Sequence, residues 1–249
     1  MTTNATYSTP IAVETGATLN FAGGTQTVTT DVSGPGTVLV SGATVDITGG
    51  TYNITGSSTR VTGGSLTFSS GATVLSVGPL SLTGGELRFD SGELIQPTSL
   101  TLSGGTLRGT DSITVQSGGT ITFSGGTMNG SSTTTTSGAG ITLSGGTKDL
   151  INGRILVIAG PATWTGGDIG LFSSSQFQLQ SGKTFTDLGT GNRFIVGGSG
   201  TFANAGTYAK TSTGTTDIAP TFNNTGTVDV QAATLKLSGG GTSSSTSTF

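Results

Sequence analysis

Leu80-Ser81-Leu82-Thr83-Gly84-Gly85 is the first of five related six-residue phrases, all of which end in Gly-Gly. The other four begin at Leu100, Ile121, Ile141 and Ala162. Their central apolar residues recur at nearly constant spacing, as Leu82, Leu102, Phe123, Leu143 and Trp164. A fixed period of about 20 residues is typical of a solenoid, in which each repeat buries its apolar face against neighbouring repeats.

The same column of apolar residues continues towards the N-terminus as Phe21, Val40 and Val61. Within each phrase, apolar residues alternate with Ser or Thr, which is the period of a β-strand. The Gly-Gly pair then ends the strand, because Gly adopts backbone angles that other residues resist. These patterns predict an all-β chain, a right-handed parallel β-helix (β-solenoid), with about 20-21 residues per coil and about eleven coils. Trp164 is predicted to lie in the core, since it occupies the inward column.

The repeat changes its style after residue 172. Phe202 and Phe222 continue the period, and Asn204 and Asn224, which are separated by the same step, predict a short amide ladder at a turn. We therefore predict one β-solenoid domain over residues 1-240, with Gly-Gly coils over 16-172 and variant Phe/Asn coils over 173-240. Residues 241-249 are rich in Gly, Ser and Thr, which predicts a flexible tail or linker.

The composition narrows the functional classes. The chain of 249 residues has no Cys and no His, only 8% charged residues and a net charge of −3. Nucleic-acid binding is not expected, because it needs a concentrated basic surface. No run reaches the about 18 apolar residues of a membrane span, so no membrane insertion is predicted. The N-terminus lacks the features of a secretion signal, and we expect the chain to be a fragment of a longer exported protein.

The densest group of charges defines a candidate charged patch. It consists of Glu86, Arg88, Asp90, Arg108 and Asp111. The period places Arg88, Arg108, Asn129 and Asp149 in one column. We interpret the patch as a solvated set of salt bridges in which Glu86 and Asp90 offset the two arginines. The alternative is a carbohydrate-active β-helix domain, since polysaccharide lyases and hydrolases of this fold use acidic and basic residues on such a face.

Two ranks of hydroxyl residues define a candidate outer contact face. If the central apolar residues point inward, their neighbours point outward. These neighbours are Ser81, Thr83, Thr101, Ser103, Thr122, Ser124, Thr142, Ser144, Thr163 and Thr165. The favoured interpretation is a soluble outer surface, and glycan contact is an alternative. A second alternative is ice binding, because flat Thr-x-Thr arrays resemble the ice-binding faces of some antifreeze solenoids, although Arg60 interrupts the first rank before Ser81.

No cofactor and no metal site is predicted. Without His or Cys, acid-base chemistry would depend on the carboxylates alone, and we expect no enzyme. The Gly-Gly phrases lack the Asp of calcium-binding β-roll repeats. Asp168 and Asp187 are interpreted as single carboxylates in turns.

The repeats resemble the secreted β-helix repeats of bacterial surface proteins, namely autotransporter passenger domains and filamentous-haemagglutinin-like adhesins. The resemblance depends on phrases such as Gly16-Ala17-Thr18-Leu19-Asn20-Phe21, Gly71-Ala72-Thr73-Val74 and Phe222-Asn223-Asn224-Thr225-Gly226-Thr227-Val228. It implies a non-enzymatic extracellular or cell-surface segment that serves as a stalk, fibre or adhesion module. The expected partners are glycan or another surface, and open strand edges at the ends also favour head-to-tail self-association.

Overall fold

The computed structural model describes residues 3–244, which form strands and turns without a helix. All the strands pair in parallel at steps of about 21 residues, so the chain is a β-solenoid of about 11 turns. This result confirms the predicted fold class. Internal contacts divide the chain into two compact units, a first unit of Met1–Val115 and a second unit of Gln116–Phe249. Each unit is described in turn below.

The first unit contains short strands of two to four residues, which suits narrow coils with tight turns. In chain order they are β1 (Ala5–Tyr7), β2 (Ile11–Ala12), β3 (Thr18–Phe21), β4 (Thr25–Val28), β5 (Val32–Gly34), β6 (Thr37–Val40), β7 (Thr44–Ile47), β8 (Thr51–Ile54), β9 (Thr59–Val61), β10 (Ser65–Phe68), β11 (Thr73–Ser76), β12 (Leu80–Leu82), β13 (Glu86–Phe89), β14 (Leu100–Leu102), β15 (Thr106–Gly109) and β16 (Ile113–Thr114).

The strands of the first unit stack into three faces. Face 1 carries the repeated phrase and consists of β3, β6, β9, β12 and β14. Face 2 follows the Gly-Gly corner and consists of β1, β4, β7, β10, β13 and β15. Face 3 consists of β2, β5, β8 and β11, and Ile113 of β16 forms a parallel bridge with Ile95.

The second unit repeats the three-face arrangement with strands of similar length. In chain order they are β17 (Thr120–Phe123), β18 (Gly126–Asn129), β19 (Thr133–Thr135), β20 (Gly140–Leu143), β21 (Lys148–Ile151), β22 (Ile155–Ile158), β23 (Ala162–Trp164), β24 (Ile169–Leu171), β25 (Gln176–Leu179), β26 (Thr184–Asp187), β27 (Arg193–Val196), β28 (Thr201–Asn204), β29 (Thr207–Lys210), β30 (Thr215–Ile218), β31 (Thr221–Asn224), β32 (Thr227–Val230) and β33 (Thr234–Leu237).

Within the second unit the same names apply to the faces. Face 1 consists of β17, β20, β23, β26, β29 and β32, and face 2 of β18, β21, β24, β27, β30 and β33. Face 3 consists of β19, β22, β25, β28 and β31. Asn204 and Asn224 lie opposite each other on face 3, and Asn204 Nδ2 donates to Asn224 Oδ1 at 2.7 Å. The predicted amide ladder is therefore confirmed, and it lies inside the coil.

The inward column on face 1 confirms the predicted register within each unit. In the first unit the partners run in the order Phe21, Val40, Val61, Leu82 and Leu102. In the second unit Phe123, Leu143 and Trp164 are consecutive partners. Trp164 is completely buried, as predicted. The column is a closely packed core in which every coil contributes one side chain.

Two properties require glycine at the Gly-Gly corners, namely a positive φ angle and the close approach of the preceding coil. Gly85 has a φ of +74°, and a Cβ added to it would lie 2.3 Å from the carbonyl oxygen of Gly64 in the preceding coil. Gly167 in the second unit has a φ of +63°, and a Cβ added to it would lie 2.2 Å from the carbonyl oxygen of Gly145. Only glycine fits at these corners, because any side chain would collide with the coil below.

The predicted tail over residues 241-249 is described only as far as Ser244. Asn224 N donates to the carbonyl oxygen of Thr242, and Ser244 N donates to the carbonyl oxygen of Asn224. Residues 242–244 therefore run alongside β31. The remaining part of the predicted tail, residues 245–249, lies outside the described residues.

Candidate functional site

The first rank of predicted hydroxyls lies on the outer side of face 1. In the first unit, Ser81 and Thr101 are direct partners, and Arg60 lies opposite Ser81 on the other side. In the second unit the rank is formed by consecutive partners that are all threonine. They are Thr122, Thr142, Thr163 and Thr186. Sequence analysis missed Thr186, because the step to it from Thr163 is longer than the preceding steps of the rank.

The second rank follows the ends of the same strands. The backbone N–H groups of its residues continue the ladder, as when Thr83 N donates to Val61 O at 3.0 Å and Thr165 N donates to Leu143 O at 2.8 Å. Thr83 and Ser103 belong to the first unit, and Ser124, Ser144 and Thr165 to the second. All ten predicted hydroxyl residues are at least partly exposed. Leu188 occupies the next position after Thr165, so the second rank ends on an exposed apolar side chain.

A shallow depression of about 330 Å³ lies on the hydroxyl face of the second unit. Gly140 forms its floor between Thr120 and Pro161, because it has no side chain. Thr142 and Thr163 line the same depression, and Thr163 Oγ1 donates to Thr142 Oγ1 at 3.5 Å. The depression therefore offers hydroxyl groups on a fixed strand scaffold and is lined by no charged residue.

The charged patch lies on face 2 of the first unit. Arg88 and Arg108 are direct partners there, and each has a carboxylate beside it. Arg88 Nε forms an ion pair with Asp90, and Arg108 Nη1 contacts Glu86 Oε2 at 3.1 Å. Partial burial raises the pKa of Asp90, but hydrogen bonds from Thr110 and Arg88 outweigh this effect and lower the pKa below its usual value. These four side chains are partly exposed, so solvent screens their pairing.

Asp111 is separate from that solvated group, because it is buried and caps a turn. Its carboxylate accepts hydrogen bonds from Ser91 N at 2.7 Å, Ser91 Oγ at 2.9 Å and Gly92 N at 3.0 Å. Asp111 therefore fixes the turn after Phe89 and is not available to a ligand.

The predicted column is wrong where it places Asp149 next to Asn129. Asp149 lies opposite Thr127, and Asn129 lies opposite Ile151. The turn from β17 to β18 is two residues shorter than the turn from β20 to β21, and this difference moves the register by two residues. A shift of two keeps the inward residues inward, so the apolar pattern gave no sign of it.

A cluster of buried charges was missed by sequence analysis. Asp187 was interpreted as a turn carboxylate, but it lies in β26, completely buried, as the direct partner of Trp164 and Lys210. The sequence could have predicted this burial, because Asp187 lies two residues after Phe185 and residues two apart in a strand share a side. The greater length of this coil hid the correspondence with Trp164 in the preceding coil.

Asp187 is surrounded by donors and cations. Arg193 Nη2 forms an ion pair with Asp187 Oδ1 at 2.7 Å, although its geometry is not that of a hydrogen bond. Thr216 Oγ1 and the Tyr208 hydroxyl donate to Asp187 Oδ2 at 2.5 and 3.2 Å, and Lys210 Nζ lies 3.9 Å from the same oxygen. Burial, and then the negative charge of Asp187, raises the pKa of Tyr208 well above its ordinary value.

The buried cations of the second unit also bind backbone carbonyl groups. Lys148 Nζ donates to the carbonyl oxygens of Ser144, Gly146 and Gly166 at 3.0, 2.7 and 2.8 Å. Burial lowers the pKa of Lys148 to about 8. Lys210 Nζ donates to the carbonyl oxygens of Ser212 and Gly214, and burial also lowers its pKa. These groups are closed off from solvent, so they act on the core and not on a ligand in solution.

The carboxylates form no cluster of metal ligands in the part of the chain that the structure describes. Between residues 3 and 244, no three Asp or Glu side chains gather closely enough to hold a metal ion. Asp168, the other predicted turn carboxylate, accepts a hydrogen bond from Phe194 N at 3.0 Å. The same residues include no helix with the length and hydropathy of a membrane span.

The fold and the exposed site define the chain as a β-solenoid whose face 1 carries a rank of threonines in the second unit. Comparison with protein-family models, with curated proteins and with solved structures finds no match to the chain. Functional inference therefore depends on the geometry of the chain itself.

Proposed function

We propose that the chain is a non-enzymatic structural and adhesive β-solenoid segment of an exported bacterial protein, acting outside the cell or at its surface. The observation that carries this proposal is the rank of exposed threonines in the second unit, formed by Thr122, Thr142, Thr163 and Thr186 on consecutive coils. Each threonine lies on a strand that is paired on both sides, so the backbone that carries its hydroxyl is ordered before any partner binds.

The chemistry of this rank suits glycan or another hydroxyl-rich surface. A hydroxyl group both donates and accepts, which matches the hydroxyl groups of a polysaccharide. Neighbouring threonines are about 4.8 Å apart along the stack, so an extended chain can contact several coils at once. Individually weak contacts that repeat at fixed spacing add up to a much higher avidity.

Retention on solid polysaccharide tests the proposal. Purified protein is incubated with microcrystalline cellulose, chitin and mucin-coated beads, and the bound fraction is measured. We expect retention on at least one of them, and a loss of about tenfold in apparent affinity, about 1.4 kcal/mol, for the double variant Thr142→Lys/Thr163→Lys. The matched control is Thr27→Lys/Thr67→Lys, at outward positions on face 2 of the first unit.

Two outcomes would contradict the proposal. One is a wild-type protein that none of the three surfaces retains. The other is an equal loss of binding in both double variants, which would show that added positive charge and not the hydroxyl face is responsible.

Ice binding is a second candidate, favoured by one observation. The four consecutive threonines each carry a methyl group beside the hydroxyl, and they lie on a single strand face. The second rank supports this function less well, because Ser124 and Ser144 lack the methyl group. Inhibition of ice recrystallisation by the wild type, lost in Thr142→Lys/Thr163→Lys, would establish this function in place of adhesion.

A further inference from the structure

A recess on face 3 of the second unit has the size and hydrogen-bonding groups of a sugar site. Three outward residues define it, because Gln178, Ala203 and Asn223 are direct partners on β25, β28 and β31. The small Ala203 side chain leaves a gap of about 310 Å³ between the two amides. Two coil spacings separate these amides, a distance of about 10 Å.

The two walls of the recess offer opposite hydrogen-bonding groups. Gln178 Nε2 donates to Gln176 Oε1 at 2.7 Å, which leaves Gln178 Oε1 as an acceptor with no partner among residues 3–244. On the other wall, Asn223 Oδ1 accepts from Thr242 N at 3.1 Å and from Thr242 Oγ1 at 2.9 Å. Asn223 Nδ2 has no partner among the same residues and remains a donor. The backbone N–H of Thr242 can only donate, so it fixes the orientation of the Asn223 amide, and the contact with Gln176 holds the Gln178 amide in place.

We propose that this recess binds one pyranose ring of a neutral sugar. Amide groups on both sides of a methyl floor match a ring with hydroxyl groups on opposite edges. The C–H groups of such a ring would pack on Ala203, with Ala205 beside it in the recess lining. The lining residues include no charged side chain, which favours a neutral ligand over a uronic acid or a phosphorylated sugar.

This site is independent of the proposed hydroxyl-face function, because it lies on another face and uses other residues. Free methyl glycosides are therefore the suitable probes, since a single ring can fill the recess but cannot span several coils. The probes are the methyl glycosides of glucose, mannose, galactose and N-acetylglucosamine, each titrated into the full chain at concentrations on the order of 10 mM.

The measurement is the NMR shift of the side-chain amide signals of Gln178 and Asn223. We expect saturable shifts of both signals with at least one glycoside. Ala203→Leu, which fills the floor of the recess, is expected to weaken binding at least tenfold. Asn223→Asp keeps the acceptor for Thr242 but removes the donor, and the same loss is expected. Ala22→Leu at an exposed position of the first unit is the matched control and should bind as the wild type does.

Two results would overturn the proposal of a sugar site in the recess. The proposal is overturned if no glycoside shifts both amide signals, or if Ala203→Leu and Asn223→Asp bind as tightly as the wild type. Thr142→Lys/Thr163→Lys should leave the titration unchanged, whereas Ala203→Leu should leave retention on polysaccharide unchanged. Failure of one proposal can therefore be distinguished from failure of the other.

Discussion

The same inward column on face 1 is filled in opposite ways in the two units. In the first unit the column is apolar throughout, from Phe21 to Leu102. In the second unit it passes from Phe123, Leu143 and Trp164 to Asp187 and Lys210. The strands of face 1 stay in parallel pairing along the column in both units. Parallel stacking therefore does not need an apolar residue in every coil, provided that each polar side chain finds partners inside.

The partners in the second unit explain how charge is accommodated there. The Gly-Gly corners and neighbouring turns direct carbonyl oxygens into the coil, and Lys148 and Lys210 donate to them. Trp164 does the same, because its Nε1 donates to the carbonyl oxygen of Gly167 at 2.7 Å. Edge-to-face rings, such as Phe177 against Phe202 at 5.0 Å, fill the remaining space. The core of the second unit is thus held by specific contacts as well as by apolar burial.

The largest expected effect concerns Asp187. Asp187→Asn keeps the shape of the side chain but leaves Arg193 and Lys210 buried without a counter-charge. We expect a loss of about 3–5 kcal/mol in the free energy of unfolding of the second unit. Urea unfolding followed by fluorescence measures it, because Trp164 is the only tryptophan and the Arg193 guanidinium lies 5.0 Å from its ring.

The control for this prediction replaces the whole cluster with apolar residues. The triple variant Asp187→Leu/Arg193→Met/Lys210→Met should be more stable than Asp187→Asn, since it leaves no uncompensated charge, although the hydroxyls of Tyr208 and Thr216 lose their acceptor. If Asp187→Asn alone were as stable as the wild type, the buried charge of Asp187 would not contribute to the stability of the second unit, and the prediction would be wrong.

The next effect concerns the apolar column of the first unit. Leu82→Ala removes a completely buried side chain, and we expect it to cost about 2–5 kcal/mol. Hydrogen exchange measures this loss at the backbone amides of β9, β12 and β14. The adjacent Ser81→Ala, on the outer side of the same strand, should change stability by less than about 0.5 kcal/mol. Equal losses of protection in both units would show that they unfold together and that the contrast does not divide the chain.

The smallest expected effect is a rise of stability with pH that originates from a buried lysine of the second unit. Burial lowers the pKa of Lys148 to about 8, whereas an unfolded lysine has a pKa of about 10.4. Between these values the unfolded chain binds more protons, so the free energy of unfolding rises with pH. Above about pH 10 the trend should reverse, because unfolded tyrosines lose their protons while burial keeps Tyr52 and Tyr208 protonated.

Thermal unfolding across this range measures the effect. We expect Tm to rise by about 2–4 °C between about pH 8 and pH 10, which corresponds to about 1 kcal/mol for a chain of this size. Lys148→Met should flatten the rise. Lys236→Met is the control, because Lys236 is exposed and paired with Asp217 at the surface. An unchanged rise in Lys148→Met would show that other groups cause the pH dependence.

The sequence predicted the structure correctly where the same type of residue recurs from coil to coil. The apolar column within each unit and the amide pair of Asn204 and Asn224 could be predicted, because consecutive coils place residues of the same type at nearly the same step. The prediction failed where the coil length changes. Thr186 and Asp187 follow a longer step than the coils before them, and Asp149 follows a longer turn than its counterpart in the preceding coil.

The partners of the buried cations could not be predicted for another reason. Lys148 binds three carbonyl groups whose positions depend on the conformation of the turns around it. The presence of a lysine in the sequence does not predict such a set of carbonyl acceptors. The sugar-sized recess was likewise hidden, because it exists only where Ala203 is stacked between two longer side chains.

The apolar column of the first unit has a consequence for how the gene can change. Between Val40 and Leu102 no buried charge pairs with a residue of another coil. A coil of about 21 residues can therefore be duplicated or deleted there without leaving a buried charge unpaired. Deleting the coil that carries both Asp187 and Arg193 would leave Lys210 of the next coil buried without its counter-charge. Recombination can therefore adjust the number of coils in the first unit, whereas in the second unit the charged cluster fixes it.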